Sequence, residues 1–218
     1  MKRGDSYDGY RQRLVEEVRR QGVSDLAVLH AISEVPRHRF VPHAQLHRAY
    51  DDNALPIGMG QTISQPSLQA LSIEKLALTG KEKVLEVGTG SGYQTALLAR
   101  CASIVFSVER VASLAEQARA VLKELAFDNV SIMVGDGTLG WRPYAPYDAI
   151  IVAAASPGVP EPLIEQLAPG GRLLVPIGPR DRQVLTLVTK ARDGVVTSRR
   201  LLDAIFVPLV GRHGFDAE

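Results

Sequence analysis

Glu86-Val87-Gly88-Thr89-Gly90-Ser91-Gly92 sets three glycines at alternate positions. Glycine lets a backbone turn sharply and come close to a ligand. The run before it, Lys83 to Val87, predicts a short strand, and Tyr93 to Cys101 predicts a helix. The turn would then present amide N–H groups at a helix start, where polar or anionic groups bind. Glu109 stands 21 residues after Gly88, at the end of the next apolar run. A carboxylate there can accept hydrogen bonds from both hydroxyls of a ribose. Gly135-Asp136-Gly137 follows a third such run. Three turns of this kind at successive strand ends point to capture of a nucleoside-bearing ligand, although Gly-Asp-Gly is also good chemistry for a plain turn.

Such turns need a sheet to hold them. From Pro66 onward, helix and strand patterns alternate. Helices are expected over Pro66 to Leu78, Tyr93 to Cys101, Val111 to Ala126 and Glu161 to Leu167. Strands are expected over Lys83 to Val87, Ile104 to Val108, Val130 to Val134, Tyr147 to Val152 and Arg172 to Pro176. The near-continuous apolar strands fit a parallel sheet buried on both faces. Val184 to Thr189 and Val195 to Leu202 alternate instead and meet through Asp193-Gly194, a hairpin signal. Upstream, amphipathic helices are expected near Tyr10 to Gln21 and from an N-cap at Ser24 to about Val35. Residues Pro36 to Gln65 show no period. Their apolar members Phe40, Leu55 and Ile57 mark the segment as ordered and functional. The expectation is one α/β domain: a doubly wound, mostly parallel Rossmann-like sheet, a helical N-terminal extension and antiparallel C-terminal strands.

The bulk composition is that of a globular chain. It has 218 residues, 45% hydrophobic and 22% charged, with 25 basic and 24 acidic side chains. A net charge of +1 calls for neither nucleic acid nor an anionic membrane. No apolar stretch reaches the roughly 20 residues of a spanning helix, and no apolar core follows the basic N-terminus, so a cytoplasmic location is expected. The lone Cys101 excludes an internal disulfide and suits a small buried hydrophobe. His43 and His47 are four apart, but no further ligands accompany them, and no metal is assigned. Trp141 and Tyr144 could cover an adenine; packing under a loop is the plainer role.

Two ligand classes compete for the glycine turn. Dinucleotide folds use G-x-G-x-x-G. Here the third glycine comes one residue early, and the spacing is similar to the E/D-x-G-x-G-x-G motif of class I S-adenosylmethionine-dependent methyltransferases. Glu109 fits either cofactor; the early glycine and the Gly-Asp-Gly turn argue against a nicotinamide enzyme.

Ala54 to Pro66 reads ALPIGMGQTISQP, with VPRHRFVP upstream and EVGTGSGYQTALLA downstream. With SVER, NVSIMVGDG, YDAIIVAAA and FVPLVG, these stretches closely resemble the protein-L-isoaspartate (D-aspartate) O-methyltransferase family, over roughly Val35 to Gly211. The resemblance implies a repair enzyme that moves a methyl group from S-adenosyl-L-methionine to the free α-carboxylate of L-isoaspartyl residues, leaving S-adenosyl-L-homocysteine. It implies Ser64 as the active-site serine, with Thr62 and Ile63 beside it on substrate or cofactor. It puts Glu86, Gly88, Thr89, Gly90, Gly92, Glu109, Asp136 and Gly137 on the cofactor and Val207, Pro208 and Leu209 on the isoaspartyl peptide. Damaged proteins and peptides are the implied partners, and the chain is expected to be a monomer.

An isoaspartyl α-carboxylate needs no general base, because its pKa near 3.5 leaves it ionised at neutral pH. The sequence accordingly offers no convincing His-Asp or Cys-His pair near the motifs. From sequence alone, Ser64 before Gln65-Pro66 reads first as a helix cap, a role compatible with a hydroxyl fixed in a pocket. A relative acting on a different acceptor, and a non-catalytic binding protein, remain as alternatives.

Overall fold

The computed structural model describes residues 7–216. Its centre is a seven-stranded sheet in the order β5-β4-β3-β6-β7-β8-β9. The strands are β3 (Lys83–Val87), β4 (Ile104–Glu109), β5 (Val130–Val134), β6 (Tyr147–Val152), β7 (Leu167–Ile177), β8 (Gln183–Lys190) and β9 (Val196–Ala204). Strands β5 through β7 pair in parallel, while β8 and β9 add antiparallel to β7. A two-stranded antiparallel ribbon, β1 (Leu55–Gly58) and β2 (Gln61–Ile63), stands apart. The helices are α1 (Asp8–Arg20), α2 (Leu26–Glu34), α3 (Pro66–Lys75), α4 (Tyr93–Cys101), α5 (Ala112–Glu124) and α6 (Glu161–Glu165).

Strand residues alternate between the two faces, and the core divides accordingly. Val84, Val105, Ala149 and Ile151 pack under α1 to α5. Their neighbours Leu85, Phe106, Ile150 and Val152 face a second cluster, closed by Leu163 of α6 and by Leu209. The helical cover is therefore unequal: one face carries five helices, and the other carries α6, short 3-10 turns and the C-terminal segment. Leu85 is fully buried, and its truncation to Ala would cost about 2–5 kcal/mol. Phe106 stacks on Tyr144 at 4.4 Å and meets Trp141 edge-on at 5.5 Å, so both aromatics are packing rather than cover for a ligand. Cys101 is buried, and burial pushes its thiol up to about 12.

The structure revises two expected caps. Asp25, not Ser24, caps α2; its carboxylate accepts from the amides of Ala27 and Val28, while Ser24 donates to Glu74. At α3 the side chain of Ser64 makes no cap. The amide of Ser67 is taken at 2.8 Å by Asp52, from the irregular segment upstream. That segment is ordered as two 3-10 turns, Arg37–Phe40 and His43–Arg48, followed by the β1–β2 ribbon. Strand β7 begins at Leu167, five residues earlier than Arg172, and absorbs Pro169-Gly170-Gly171 through an irregularity in its pairing with β6. Among the described residues no helix is long and apolar enough to cross a membrane.

Candidate active site

Chain direction reverses between β3 and β6: β3 leads outward to β4 on one side, and β6 leads to β7 on the other. Ligands of open parallel sheets bind beyond the strand ends at such a switch point. The amide of Gly88 closes onto the carbonyl of Val108 at 2.8 Å, and that of Ala153 onto Val87 at 2.8 Å. Above this point opens a cleft of about 360 Å³. Its floor is Gly88, Thr89, Gly90 and Ser91; Gly88 and Gly90 have φ of +95° and +53°, conformations a side chain would strain. The β1–β2 ribbon forms one wall, with Ile57 so near the loop that a Cβ on Gly90 would lie 3.6 Å from its Cδ1.

Glu109 ends β4 in the cleft wall. One carboxylate oxygen accepts the Gly90 amide at 2.8 Å and the other the Val111 amide at 2.9 Å. A carboxylate has about four lone-pair sites, so each oxygen retains one for a hydroxyl from the cleft. Gly137 also lines the cleft, pressed against the side chain of Val87. Thr62, Ile63 and Ser64 enter from the ribbon side, and Val207, Pro208 and Leu209 face them from the C-terminal segment. That segment is tied to the end of β6 by paired amide–carbonyl bonds, Leu209 to Ala155 and Ala155 to Val207, each 2.7 Å. A smaller annex lies beside Ser64, Phe206 and Val207.

Three of the residues expected on the cofactor, Glu86, Asp136 and Gly92, do not line the cleft. Glu86 is fully buried below the loop and does not line the cleft. Its carboxylate accepts from Thr95 Oγ1 at 2.5 Å, Ser107 Oγ at 2.7 Å and Gln94 Nε2 at 3.2 Å. Ser107 in turn shares a 2.5 Å contact with Thr89 Oγ1, so Glu86 braces the glycine loop from beneath. Burial raises its pKa to about 7, against the three donors. Asp136 also lies off the cleft. It accepts from the amide and hydroxyl of Thr138 and from the Arg212 amide at 2.8 Å, and thereby pins the C-terminal segment. Burial pushes this carboxyl up, but those hydrogen bonds outweigh it and hold the pKa below the usual carboxylate range. Gly92 caps α4 at φ +86°, packed on Ala118 rather than facing the cleft.

The cleft also holds Gln69, Gln94, Ala153, Ala154, Arg110 and Arg180, none of which was singled out from the sequence. Ala153 and Ala154 follow the β6 strand, so the switch-point rule could have found them. The others come from helix positions and turns that carry no local signal. Among the described residues Glu109 is the one carboxylate in the cleft wall, and no His or Cys lines it. Among the described residues no three His, Cys, Asp or Glu side chains gather as metal ligands would.

Comparison with known proteins agrees with this geometry. The sequence profile described as Protein-L-isoaspartate(D-aspartate) O-methyltransferase matches residues 9–214. A protein-L-isoaspartate O-methyltransferase of Dictyoglomus thermophilum is 51% identical over 210 residues, 96% of this chain and 94% of its own. One from Geobacter metallireducens is 49% identical over 214 residues, 98% and 99% of the two chains. A solved protein-L-isoaspartate O-methyltransferase superposes with a TM-score of 0.85 at 33% identity, over 94% of this chain and 67% of that one. A Plasmodium falciparum homologue, crystallised with S-adenosyl-L-homocysteine, gives 0.79 at 29% identity, over 92% and 98%. The chain belongs to the protein-L-isoaspartate(D-aspartate) O-methyltransferase family.

Proposed function

We propose that this protein moves a methyl group from S-adenosyl-L-methionine to the free α-carboxylate of L-isoaspartyl residues in damaged proteins and peptides. The observation that carries the reading is the meeting of Thr62–Ser64 with Val207–Leu209 across one cleft floored by the glycine loop. The cofactor supplies an electrophilic methyl on a sulfonium and leaves as a neutral thioether. The chain's own residues fit it: Gly88 to Gly90 allow close backbone approach, Glu109 keeps acceptor sites for two hydroxyls, and Gly137, packed on Val87, brings bare backbone to the cleft at the third strand end.

The acceptor side fits an anion. Glu109 is engaged by two amides, and among the described residues no other lining group is an obvious base. An α-carboxylate, ionised above about pH 4, does not need one. What it needs is desolvation and alignment, for which well-ordered geometry supplies several kcal/mol, up to roughly 7–11 in ideal cases. The Ser64 hydroxyl, without a protein partner among the described residues, and the nearby amides are the groups that hold it.

The test is transfer of labelled methyl from S-adenosylmethionine to a synthetic isoaspartyl peptide beside its normal aspartyl twin. Base-labile label on the isoaspartyl peptide alone is expected. Label on neither, with S-adenosylhomocysteine still bound, would mean another acceptor.

A further inference from the structure

Arg37 is fully buried beneath the acceptor side of the cleft. Its Nη2 donates to the Ser64 carbonyl at 2.8 Å and its Nη1 to Gln69 Oε1 at 3.0 Å. The guanidinium carbon lies 4.7 Å from the centre of the Tyr93 ring. Nε has no hydrogen-bond partner, and Arg37 forms no ion pair among the described residues. The neighbouring acid, Asp52, makes no ion pair with it and hydrogen-bonds Ser67 and Gln65; its charge favours the guanidinium only from a distance. Burial lowers the pKa of Arg37 only to about 10, so the group is a cation at neutral pH. A buried charge without an ion-pair partner is costly even when hydrogen-bonded, and the irregular segment that carries it is held in place at that cost.

Two orientations follow. A trans peptide is planar, with its C=O and N–H opposed. Fixing the Ser64 carbonyl on Arg37 therefore turns the Gln65 N–H the opposite way, and that N–H has no partner among the described residues. Arginine is a donor only, so Gln69 must give it Oε1. The Nε2 of Gln69, a residue of the cleft wall, is then left as a free donor.

We propose that Arg37 is a positioning residue for the methyl acceptor: it locks the Ser64–Gln65 peptide and the Gln69 amide so that both offer N–H groups to the incoming carboxylate, whose charge it balances from beneath. The inference rests on the methyl-transfer reading above. It also accounts for a full charge buried where an uncharged residue would pack at less cost.

The test compares Arg37→Met, Arg37→Lys and Gln69→Glu with the wild type, using an isoaspartyl peptide for kinetics and S-adenosylhomocysteine for binding. Gln69→Glu keeps the shape and gives Arg37 an ion-pair partner, so it folds even where Arg37→Met does not. It removes the amide donor and places a carboxylate against the acceptor. Arg37→Met and Gln69→Glu should raise the peptide KM about tenfold or more, a change of about 1.4 kcal/mol or more, with a smaller fall in kcat and unchanged S-adenosylhomocysteine affinity. Arg37→Lys, which keeps the charge but not the fork, should lie between them and the wild type. A folded Gln69→Glu with wild-type KM overturns the proposal. So does a parallel loss of peptide and S-adenosylhomocysteine affinity, which would put these donors on the cofactor's carboxylate. Absence of transfer by the wild-type enzyme would remove the functional reading, and this assignment with it.

Discussion

Glu109 Oε2 accepts the amide of Gly90 at 2.8 Å, joining the end of β4 to the middle of the glycine loop at the end of β3. The same carboxylate takes the Val111 amide at 2.9 Å. One side chain thus fixes the loop and faces the cleft with its remaining lone pairs. Glu109→Gln keeps the shape but turns one acceptor oxygen into a donor, aimed at an amide that also donates. Hydrogen bonds to charged groups are worth about 1.5–3 kcal/mol, so calorimetry should find S-adenosylhomocysteine bound roughly tenfold to a hundredfold more weakly. An unchanged Kd would remove Glu109 from the cofactor site.

Ser64→Ala separates the acceptor from the cofactor. The hydroxyl makes no hydrogen bond among the described residues and caps no helix, so its loss should leave the Tm where it was. Turnover of an isoaspartyl peptide should fall roughly tenfold or more, the worth of one hydrogen bond to a charged group. S-adenosylhomocysteine affinity should hold. Wild-type turnover in the variant would show that the carboxylate is held by backbone amides alone.

Legibility from sequence followed the range of the interactions. Strands β3, β5 and β6 and helix α4 have the expected bounds because apolar period and glycine punctuation are local signals. The glycine loop and Glu109 were legible for the same reason. Ser64 was ambiguous because capping is decided by competition: Asp52, 15 residues upstream, reaches the Ser67 amide and releases the serine. Asp25 likewise displaces Ser24 from the cap of α2 because Glu74, distant in sequence, claims the serine. Glu86 and Asp136 sit on motif positions, yet their carboxylates are spent on Thr95, Ser107, Arg212 and Thr138, partners only the fold brings near. Arg37 was illegible in principle, since a charged residue in an irregular segment is ordinarily exposed.

Glu86 makes stability depend on pH in a stated direction. Its folded pKa is raised from 4.5 to about 7. Below pH 4.5 the carboxyl is protonated in both states and carries no penalty. As pH rises through that value the unfolded chain ionises first, so folding loses free energy until the folded carboxyl ionises near 7. Glu86→Gln removes this slope. The variant should gain on the wild type by roughly 1–3 kcal/mol of unfolding free energy between pH 5 and 8. Urea titrations at several pH values measure it, and a constant difference across that range would mean that the folded carboxyl ionises at its ordinary value.

Asp136 decides between a structural and a ligand-contact role for the Gly-Asp-Gly turn. Its oxygens hold Thr138 and the Arg212 amide, and through them the segment that presents Val207 to Leu209. Asp136→Ala leaves those donors without an acceptor, which costs about 1–3 kcal/mol and should lower the Tm by roughly 3–10 °C in a domain of this size. Because hydrogen bonding holds the folded pKa below the usual range, the wild-type contribution is present above the ordinary aspartate pKa and is lost as pH falls through the folded one. The difference in Tm between wild type and variant should therefore shrink in acid. A loosened segment should raise the peptide KM while S-adenosylhomocysteine affinity stays close to wild type. The opposite pattern, an unchanged Tm with a large loss of S-adenosylhomocysteine affinity, would return Asp136 to the cofactor contact that the family resemblance implies and would require its carboxylate to leave the Arg212 amide when the cofactor binds.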